Sequence, residues 1–459
     1  MHSVSSICTN KKFVVAKFGG TSVANFEAMY KSANIVIKNK NVRIVVLSAS
    51  SGITNLLLNL TKVFNKHKRA AILKQISQLQ YTIINRLDKP YNIQSTIDFL
   101  LERLTILSEV TTQKFFTLLE IDEIVSHGEL MSSYLFAEIL QQCGVKTYWF
   151  DVRNIMKTND KFGQAEPNQQ QLKRLAAKYL QPKLQENLIV TQGFIGQDAA
   201  GRTTTLGRGG SDYSAALIAE ALSFSQVDIW TDVAGIYTAD PRIVDNAKSI
   251  RSITFNEAAE MASFGAKILH PATLLPAIRA GISIFVGSSQ MPEEGGTHIC
   301  TNNEKPPQFR ALTLRRKQIL ITLHSLKMLY ANRFLAEVLL LLSQHCISVD
   351  LITRSEVRIA LTLNTASSTN TNGNLLTEPL ITELAKLCHV DIEEGLALVA
   401  IIGNSLLKIN DLGKKIFNAL ATYKIRMICY GASSHNICLL VADKEAEAII
   451  QILHKKFFI

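Results

Sequence analysis

The chain has few of the devices that build disulfide-rich, metal-built or membrane proteins. It has seven cysteines in 459 residues, an odd count with no Cys-x-x-Cys pair. That argues against a disulfide framework and against a structural zinc site. Cys8, Cys143, Cys300, Cys346, Cys388, Cys429 and Cys438 read as buried or incidental thiols. No apolar run approaches the ~20 residues of a membrane-spanning helix. Residues 1–12 are polar without an apolar h-region, so no secretory signal is expected and cytoplasm is the expected location. Familiar catalytic signatures are missing as well. There is no Gly-x-x-x-x-Gly-Lys-Ser/Thr loop, no Gly-x-Gly-x-x-Gly after the first strand, no Ser–His–Asp arrangement and no metal-ligand spacing.

What is present suits packed domains. The chain is 47% hydrophobic and 19% charged, unlike a disordered chain, and its length predicts about two to four domains. The net charge is +11, from 49 basic and 38 acidic residues. The basic residues are spread out, and the densest cluster, Lys66 to Arg69, lacks the glycine–aromatic interleaving of RNA-binding segments. A surface that attracts anionic nucleotides or acidic substrates fits better than a nucleic-acid binder.

Strands and helices alternate through the first 300 residues. Val14–Lys17, Arg43–Ser48, Lys146–Phe150, Leu188–Thr191, Asp228–Thr231 and Ser283–Gly287 read as strands. Arg43–Ser48 is a continuous apolar run, as in a sheet covered on both faces. Asn25 to Lys38 reads as an amphipathic helix, 55–119 as almost all helical, and Ile124 to Gln142 as a helix with Gly144 as its C-cap. This βαβα grammar predicts an α/β domain with a mainly parallel sheet, whose ligands sit beyond the carboxyl ends of strands.

The grammar changes after Cys300, across the polar, Pro306–Pro307-containing stretch 302–308. Strand Ile319–Leu323, helix Phe334–Ser343, strands Ser348–Thr353 and Val357–Leu363, helix Leu375–Leu387 and strand Val390–Glu393 form a βαββαβ unit. A second unit follows: strand Ala397–Ile402, helix Gly413–Thr422, strands Arg426–Gly431 and Ile437–Val441, helix Lys444–Lys456. It stops one strand short, and Arg310–Leu314 can complete its sheet, so the first unit reads as inserted into the second. The expected boundaries are 11–300 for the catalytic domain, 301–315 for a linker and donated strand, and 316–394 and 395–459 for the two small units.

Several clusters carry chemical potential. Lys17-Phe-Gly-Gly-Thr-Ser22 combines a strand end, a glycine turn, hydroxyls and a cation. Gly19 and Gly20 let backbone N–H groups approach phosphate oxygens, Lys17 adds a point charge, and a helix expected to begin near Val23 would aim its positive end there. The alternative is a purely structural turn. The run Arg202 to Tyr213 packs two cations, four hydroxyls and three glycines ahead of a helix; Arg208 can grip a carboxylate in two-point fashion. Asp212, beside Ser211, either caps the helix or orders cations around a reacting phosphate. Glu129, near the front of its helix, is either a dipole-favoured acid or a partner for a substrate ammonium. His127 reads as a packed histidine rather than a base. Asp232, Tyr237 and Arg242 either flank a nucleotide or shape a loop, and Lys267 fits a second phosphate-binding lysine. Together they imply management of charge around phosphates.

In order and spacing these runs resemble the aspartate kinases of the amino-acid kinase family, most nearly their monofunctional, lysine-sensitive type. The resemblance spans nearly the whole chain. It rests on Lys17 to Ser22, Val46-Leu-Ser-Ala-Ser50 with Gly52-Ile-Thr-Asn55, Ser126-His-Gly-Glu-Leu130, Thr203 to Tyr213, Trp230-Thr-Asp, Gly235-Ile-Tyr, Asp240-Pro-Arg, Phe264-Gly-Ala-Lys267 and Leu269-His-Pro. It implies the amino-acid kinase fold, with a mainly parallel sheet covered by helices, plus two C-terminal ferredoxin-like ACT units. It implies ATP-dependent phosphorylation of the L-aspartate β-carboxylate, the entry to lysine, threonine and methionine synthesis, with Mg²⁺ held mainly by phosphates and water. By the resemblance, Lys17, Gly19 and Gly20 bind phosphate, and Thr54, Glu129 and Arg208 hold aspartate. Ser211 and Asp212 line the reaction centre, while Thr231, Asp232, Tyr237, Arg242 and Lys267 serve ATP. L-lysine is the expected effector, at Met328, Phe334, Leu335, Ser348, Val349, Asp350 and Glu356. Arg333 and Arg354 depart from the family pattern and put positive charge near that site. Pairing of ACT units implies a homodimer or tetramer, with no nucleic-acid or membrane partner and no fused homoserine dehydrogenase.

Overall fold

The structure, a computed structural model, describes residues 13–109, 115–265, 269–301, 306–324, 331–345, 347–363 and 376–458. The chain divides into two compact units. The first comprises Met1–Ile236, Ser249–Phe255 and Lys267–Glu304; the second comprises Tyr237–Lys248, Asn256–Ala266 and Lys305–Ile459.

The first unit is built on an eight-stranded sheet. Its strands are β1 (Val14–Phe18), β2 (Val42–Leu47), β3 (Thr147–Phe150), β4 (Leu188–Gln192), β7 (Gln226–Thr231), β10 (Ser252–Thr254), β11 (Ser283–Ser288) and β12 (Gly296–Cys300). They lie in the order β10-β12-β11-β7-β1-β2-β4-β3. Every neighbouring pair is parallel except β11 with β12. All of β1 and β4 is buried, which is why the sequence shows continuous apolar runs instead of alternation. The chain leaves β1 towards β2 on one side and reaches β7 on the other, so β1 marks a switch point where a crevice opens beyond the strand ends.

The helices of this unit are α1 (Phe26–Lys38), α2 (Ile53–Leu60), α3 (Lys66–Ile84), α4 (Tyr91–Glu109), α5 (Leu118–Gln142), α6 (Gln169–Tyr179), α7 (Gly210–Leu222) and α9 (Pro271–Ala280). No α-helix begins at Val23: Gly20–Val23 forms a single 3₁₀ turn, and α1 starts at Phe26, capped by the Asn25 side chain on Ala28 N. The α5 helix starts earlier than its apolar pattern predicts. Thr117 and Glu120 form a capping box that satisfies N–H groups of its first turn. Glu129 therefore sits in mid-helix, fully buried, and gains nothing from the helix dipole. A short hairpin pairs β5 (Ile195–Gln197) with β6 (Thr203–Thr205) in this unit; β8 (Ile236–Tyr237) and β9 (Ser249–Ile250) are strands of two residues each. Among the described residues no helix is long and apolar enough to cross a membrane.

The second unit is one six-stranded antiparallel sheet, ordered β14-β15-β13-β16-β18-β17. Its strands are β13 (Phe309–His324), β14 (Val349–Arg354), β15 (Arg358–Leu363), β16 (His389–Gly403), β17 (Ile425–Tyr430) and β18 (Asn436–Ala442). Two pairs of short strands expected from the sequence are each fused. Arg310–Leu314 and Ile319–Leu323 lie in β13; Val390–Glu393 and Ala397–Ile402 lie in β16. The two long strands pair from Phe309↔Gly403 to His324↔His389, with irregularities around Arg315 and Gln318. β15 pairs with the second half of β13, and β18 with the second half of β16. Each repeat thus has four strands, one of them borrowed from a long strand of the other.

Two cores form on this sheet. Ile321, Leu323, Ile359 and Leu361 pack with Phe334, Val338 and Leu342 of α10 (Ala331–Gln344) and with Leu380 and Leu384 of α11 (Glu378–Leu387). Val399, Ile401, Leu439 and Val441 pack with Leu412 and Ile416 of α12 (Leu412–Ala419) and with Ile449, Ile450 and Leu453 of α13 (Ala446–Phe458). Ala239 and Val244 join the second core, and Thr238 bonds His454 at 2.9 Å. Helix α8 (Phe255–Ser263) is tied in by Glu257, whose Oε1 accepts from Arg310 Nε and Asn404 Nδ2, both at 2.6 Å.

Candidate active site

The crevice beyond β1, β2 and β7 gathers most of the residues singled out in the sequence. Lys17 is the fourth residue of β1, buried, and its Nζ lies 2.6 Å from Asp212 Oδ1. Asp212 stands in the first turn of α7, where the helix dipole favours a carboxylate. Gly209 caps that helix with φ +72, a left-handed conformation natural to glycine. A Cβ there would also lie 2.4 Å from Cβ of His270. Gly19 donates to Trp230 O at 2.9 Å, and Ser51 donates to Gly20 O at 3.0 Å. These bonds lock the glycine turn between the ends of β7 and β2. Ser22 and Ser289 close it from behind, Oγ to Oγ at 2.7 Å.

Glu129 reaches the same crevice from α5. Ala49 N donates to its Oε1 at 3.1 Å, while Oε2 is buried with no hydrogen-bond partner among the described residues. Gly128 makes this approach possible: a Cβ on it would lie 2.7 Å from the Ala49 Cβ. Burial, opposed by the Ala49 bond and by the Lys17 charge, pushes the Glu129 carboxyl up to about 8. A neutral buried acid with one open oxygen is a receptor waiting for a cation. The Ser50 hydroxyl, in the loop that supplies Ala49 N, is likewise buried with no hydrogen-bond partner among the described residues.

The remaining expected residues fall as follows. Ser211 is buried beside Asp212, and Arg208 is exposed on the loop ahead of α7, with no ion-pair partner among the described residues. Thr54 is half-buried in the first turn of α2, and Thr231 ends β7, its hydroxyl 3.0 Å from Asp232 Oδ1. Tyr237 and Arg242 belong to the second compact unit, where Arg242 pairs with Asp240 at 2.7 Å. Lys267 lies outside the described residues.

Of the buried carboxylates that no motif marks, Asp122 is the one on the same helix as Glu129. Asp122, seven residues before Glu129 on α5, is 1% exposed. Its Oδ2 accepts from Thr205 N at 2.8 Å and Gly163 N at 2.9 Å, and its Oδ1 accepts from the Thr205 hydroxyl at 2.8 Å. The helical spacing to Glu129 was its only sequence signal. A separate cavity of about 380 Å³ is lined by Arg103, Glu123, Asp151, Arg153, Arg202 and Thr203. Its arginines already pair with Glu123, Asp151 and Asp198, so it offers an anion little.

In the second unit, Phe334 is a core residue with Leu335 packed beside it. Ser348 and Glu356 are exposed, and Val349 and Asp350 are half-buried. Asp350 is in an ion pair with Arg315. Arg333 points to solvent, 84% exposed, and pairs with Glu337 on its own helix at 3.0 Å. Met328 lies outside the described residues.

The crevice therefore offers a lysine fixed by a carboxylate, a glycine turn and a buried acid with one oxygen unpartnered among the described residues, and Arg208, with no ion-pair partner among them, stands on the loop ahead of α7. That set can bind a polyphosphate beside a small molecule carrying both ammonium and carboxylate. The sequence pattern of the amino acid kinase family matches residues 12–288, and that of the ACT domain matches residues 399–457. The chain is 58% identical to lysine-sensitive aspartokinase 3 of Escherichia coli strain K12, over 97% of this chain and 99% of that protein. It resembles E. coli aspartokinase III solved in complex with aspartate and ADP (R-state), with a TM-score of 0.90, 57% identity and coverage of 97% and 100%. The same enzyme in complex with lysine and aspartate (T-state) matches with a TM-score of 0.84 and 57% identity, over 98% and 100%.

Proposed function

Because the chain belongs to the amino acid kinase family, and within it to the aspartokinases, we propose that it phosphorylates L-aspartate with ATP. An oxygen of the β-carboxylate attacks the γ-phosphorus, the bond to the ADP oxygen breaks, and 4-phospho-L-aspartate and ADP leave. The carboxylate is already a nucleophile at neutral pH, so the site needs no strong base. It must align two anions and neutralise the charge that spreads over the transferred group.

The observation that carries this reading is Glu129, buried, with one oxygen held by Ala49 N and the other open. An aspartate ammonium placed there supplies the missing partner. Arg208 takes a substrate carboxylate, and Thr54 and Ser211 line the space between. Lys17, Gly19 and Gly20 receive the phosphates, with Asp212 holding Lys17 in place. Thr231, Asp232, Tyr237, Arg242 and Lys267 are assigned to the nucleotide. Magnesium comes as part of the MgATP substrate, held by phosphate oxygens and water; among the described residues no cluster of three His, Cys, Asp or Glu could hold a metal ion.

Lysine is the effector, bound in the ACT repeats at Met328, Phe334, Leu335, Ser348, Val349, Asp350 and Glu356. The ACT repeats pair in a homodimer or tetramer, and a cytoplasmic location suits an ATP-consuming biosynthetic step. The test is hydroxylamine trapping of acyl phosphate with ATP, Mg²⁺ and L-aspartate, with and without L-lysine, with N-acetylaspartate as control. Aspartate-dependent product that lysine suppresses and N-acetylaspartate does not support is expected. Equal turnover of N-acetylaspartate would overturn the role of Glu129. Absence of any aspartate-dependent product from folded protein would leave an amino-acid sensor or another acidic substrate.

A further inference from the structure

The two ends of the acceptor site hang on one helix. Glu129, assigned to the ammonium, and Asp122 are seven residues apart on α5. That spacing puts them on the same helix face to within ~20° and about 10 Å apart along the axis. Asp122 is assigned to neither end of the substrate. It fixes Thr205 through both the backbone N–H and the hydroxyl, and Thr205 is followed directly by Leu206-Gly207-Arg208. It also fixes Gly163, and Gly207 packs against that segment, with the position of its absent Cβ 3.2 Å from Gly163 O. Thr205 O in turn accepts from Ala165 N at 2.8 Å. The loop that carries Arg208 is thereby gripped at its root from two sides by one buried carboxylate.

We infer that Asp122 is a positioning residue which sets the distance between Glu129 and Arg208 and so tunes the enzyme to the length of its amino-acid acceptor. The inference rests on the aspartate-kinase reading above. Three donors converge on two oxygens, and an amide at this position can accept with only one of its two terminal atoms. In Asp122→Asn the amide oxygen can still take both backbone N–H groups while the Thr205 hydroxyl turns to accept from the amide nitrogen, so it is Asp122→Ala that strands the donors and frees the Arg208 loop.

The test compares wild type and Asp122→Ala in the acyl-phosphate assay, varying aspartate and ATP separately. The KM for aspartate is expected to rise at least tenfold while the KM for ATP stays within twofold. A merely structural role predicts less active protein with both KM values unmoved. That result, or a parallel rise of both, would overturn the inference. If Asp122→Ala does not fold, Thr205→Val keeps the backbone donor and removes only the hydroxyl. It is expected to raise the aspartate KM about threefold, and an unmoved KM overturns the inference equally. Failure of the wild type to phosphorylate aspartate is a different result, and it would overturn the proposed function itself.

Discussion

Lys17 Nζ and Asp212 Oδ1 stand 2.6 Å apart, joining the fourth residue of β1 to the first turn of α7. Both side chains are largely buried, so the pair is screened little by water. Asp212 fixes the ammonium without needing to touch a phosphate.

Removing this lysine removes a preorganised charge. Lys17→Ala is expected to lower kcat by about 10²–10³, the usual loss for one transition-state donor in a dry site. Lys17→Arg should rescue little, because a planar fork does not replace a compact charge. Steady-state kinetics with circular dichroism as the folding control checks both. Asp212→Asn, which leaves the charge but loosens it, should lose less than Lys17→Ala.

Glu129 makes aspartate binding pH-dependent. Its carboxyl is raised to about 8 from an ordinary 4.5, so at pH 7 the free site is protonated. Seating an ammonium requires the carboxylate and releases that proton. The aspartate KM should therefore fall by up to about tenfold per pH unit as pH rises towards 8, then level off. Glu129→Gln should raise the KM and flatten the profile. Stability runs the other way. Between about 4.5 and about 8 the folded protein holds a proton that the unfolded chain has released, so this group's stabilisation is complete below 4.5 and is lost through that window. Saturating aspartate should shrink the loss, as thermal melts across pH will show.

The buried pair Arg310–Glu257 fastens α8 within the second unit. Truncating Glu257 strands a guanidinium that is 8% exposed. Glu257→Ala is expected to destabilise by about 3–5 kcal/mol, read by chemical denaturation, whereas Arg310→Met with Glu257→Leu should recover much of it. A double variant no better than the single one would mean that the hydrogen bonds to Glu257 matter more than its charge.

Lysine sensitivity should survive the departure at Arg333. That guanidinium is solvated and paired with Glu337, so Arg333→Gly is expected to move the inhibitory lysine concentration by no more than twofold. Asp350 is different, because its Arg315 ion pair must open or be shared when a lysine ammonium arrives. Asp350→Ala should weaken inhibition about tenfold, or about 1.4 kcal/mol. Inhibition curves for the two variants decide it.

The strands β1, β2 and β4 were readable because burial on both faces leaves short stretches that are mostly apolar instead of alternating. So was the Lys17 turn, whose glycines and cation are contiguous. The start of α5 was encoded too, in the Thr117–Glu120 capping box, but the apolar period begins later and drew the boundary inward. Glu129 consequently read as lying near the front of its helix, either as a dipole-favoured acid or as a partner for a substrate ammonium, rather than as a buried mid-helix residue. The fusion of β13 and β16 was hidden because Lys317 has φ +56 and Gly395 φ +74. Both look like strand ends, yet the pairing runs past them. The grip of Asp122 on Thr205 and of Glu257 on Arg310 joins residues 83 and 53 apart, a distance over which local patterns carry no signal.

The shared strands have a mechanical consequence. β13, sixteen residues long, spans ~50 Å of extended backbone and serves as a core strand of both ACT repeats. Neither repeat can be excised without tearing an inner strand from its neighbour. A nick near Arg316 should undo both repeats in one cooperative step, where beads on a linker would melt separately. An effector held by one repeat accordingly pulls on strands that the other repeat shares, and the irregular pairing at Arg315 and Gln318 is a place along them where that pull can be taken up.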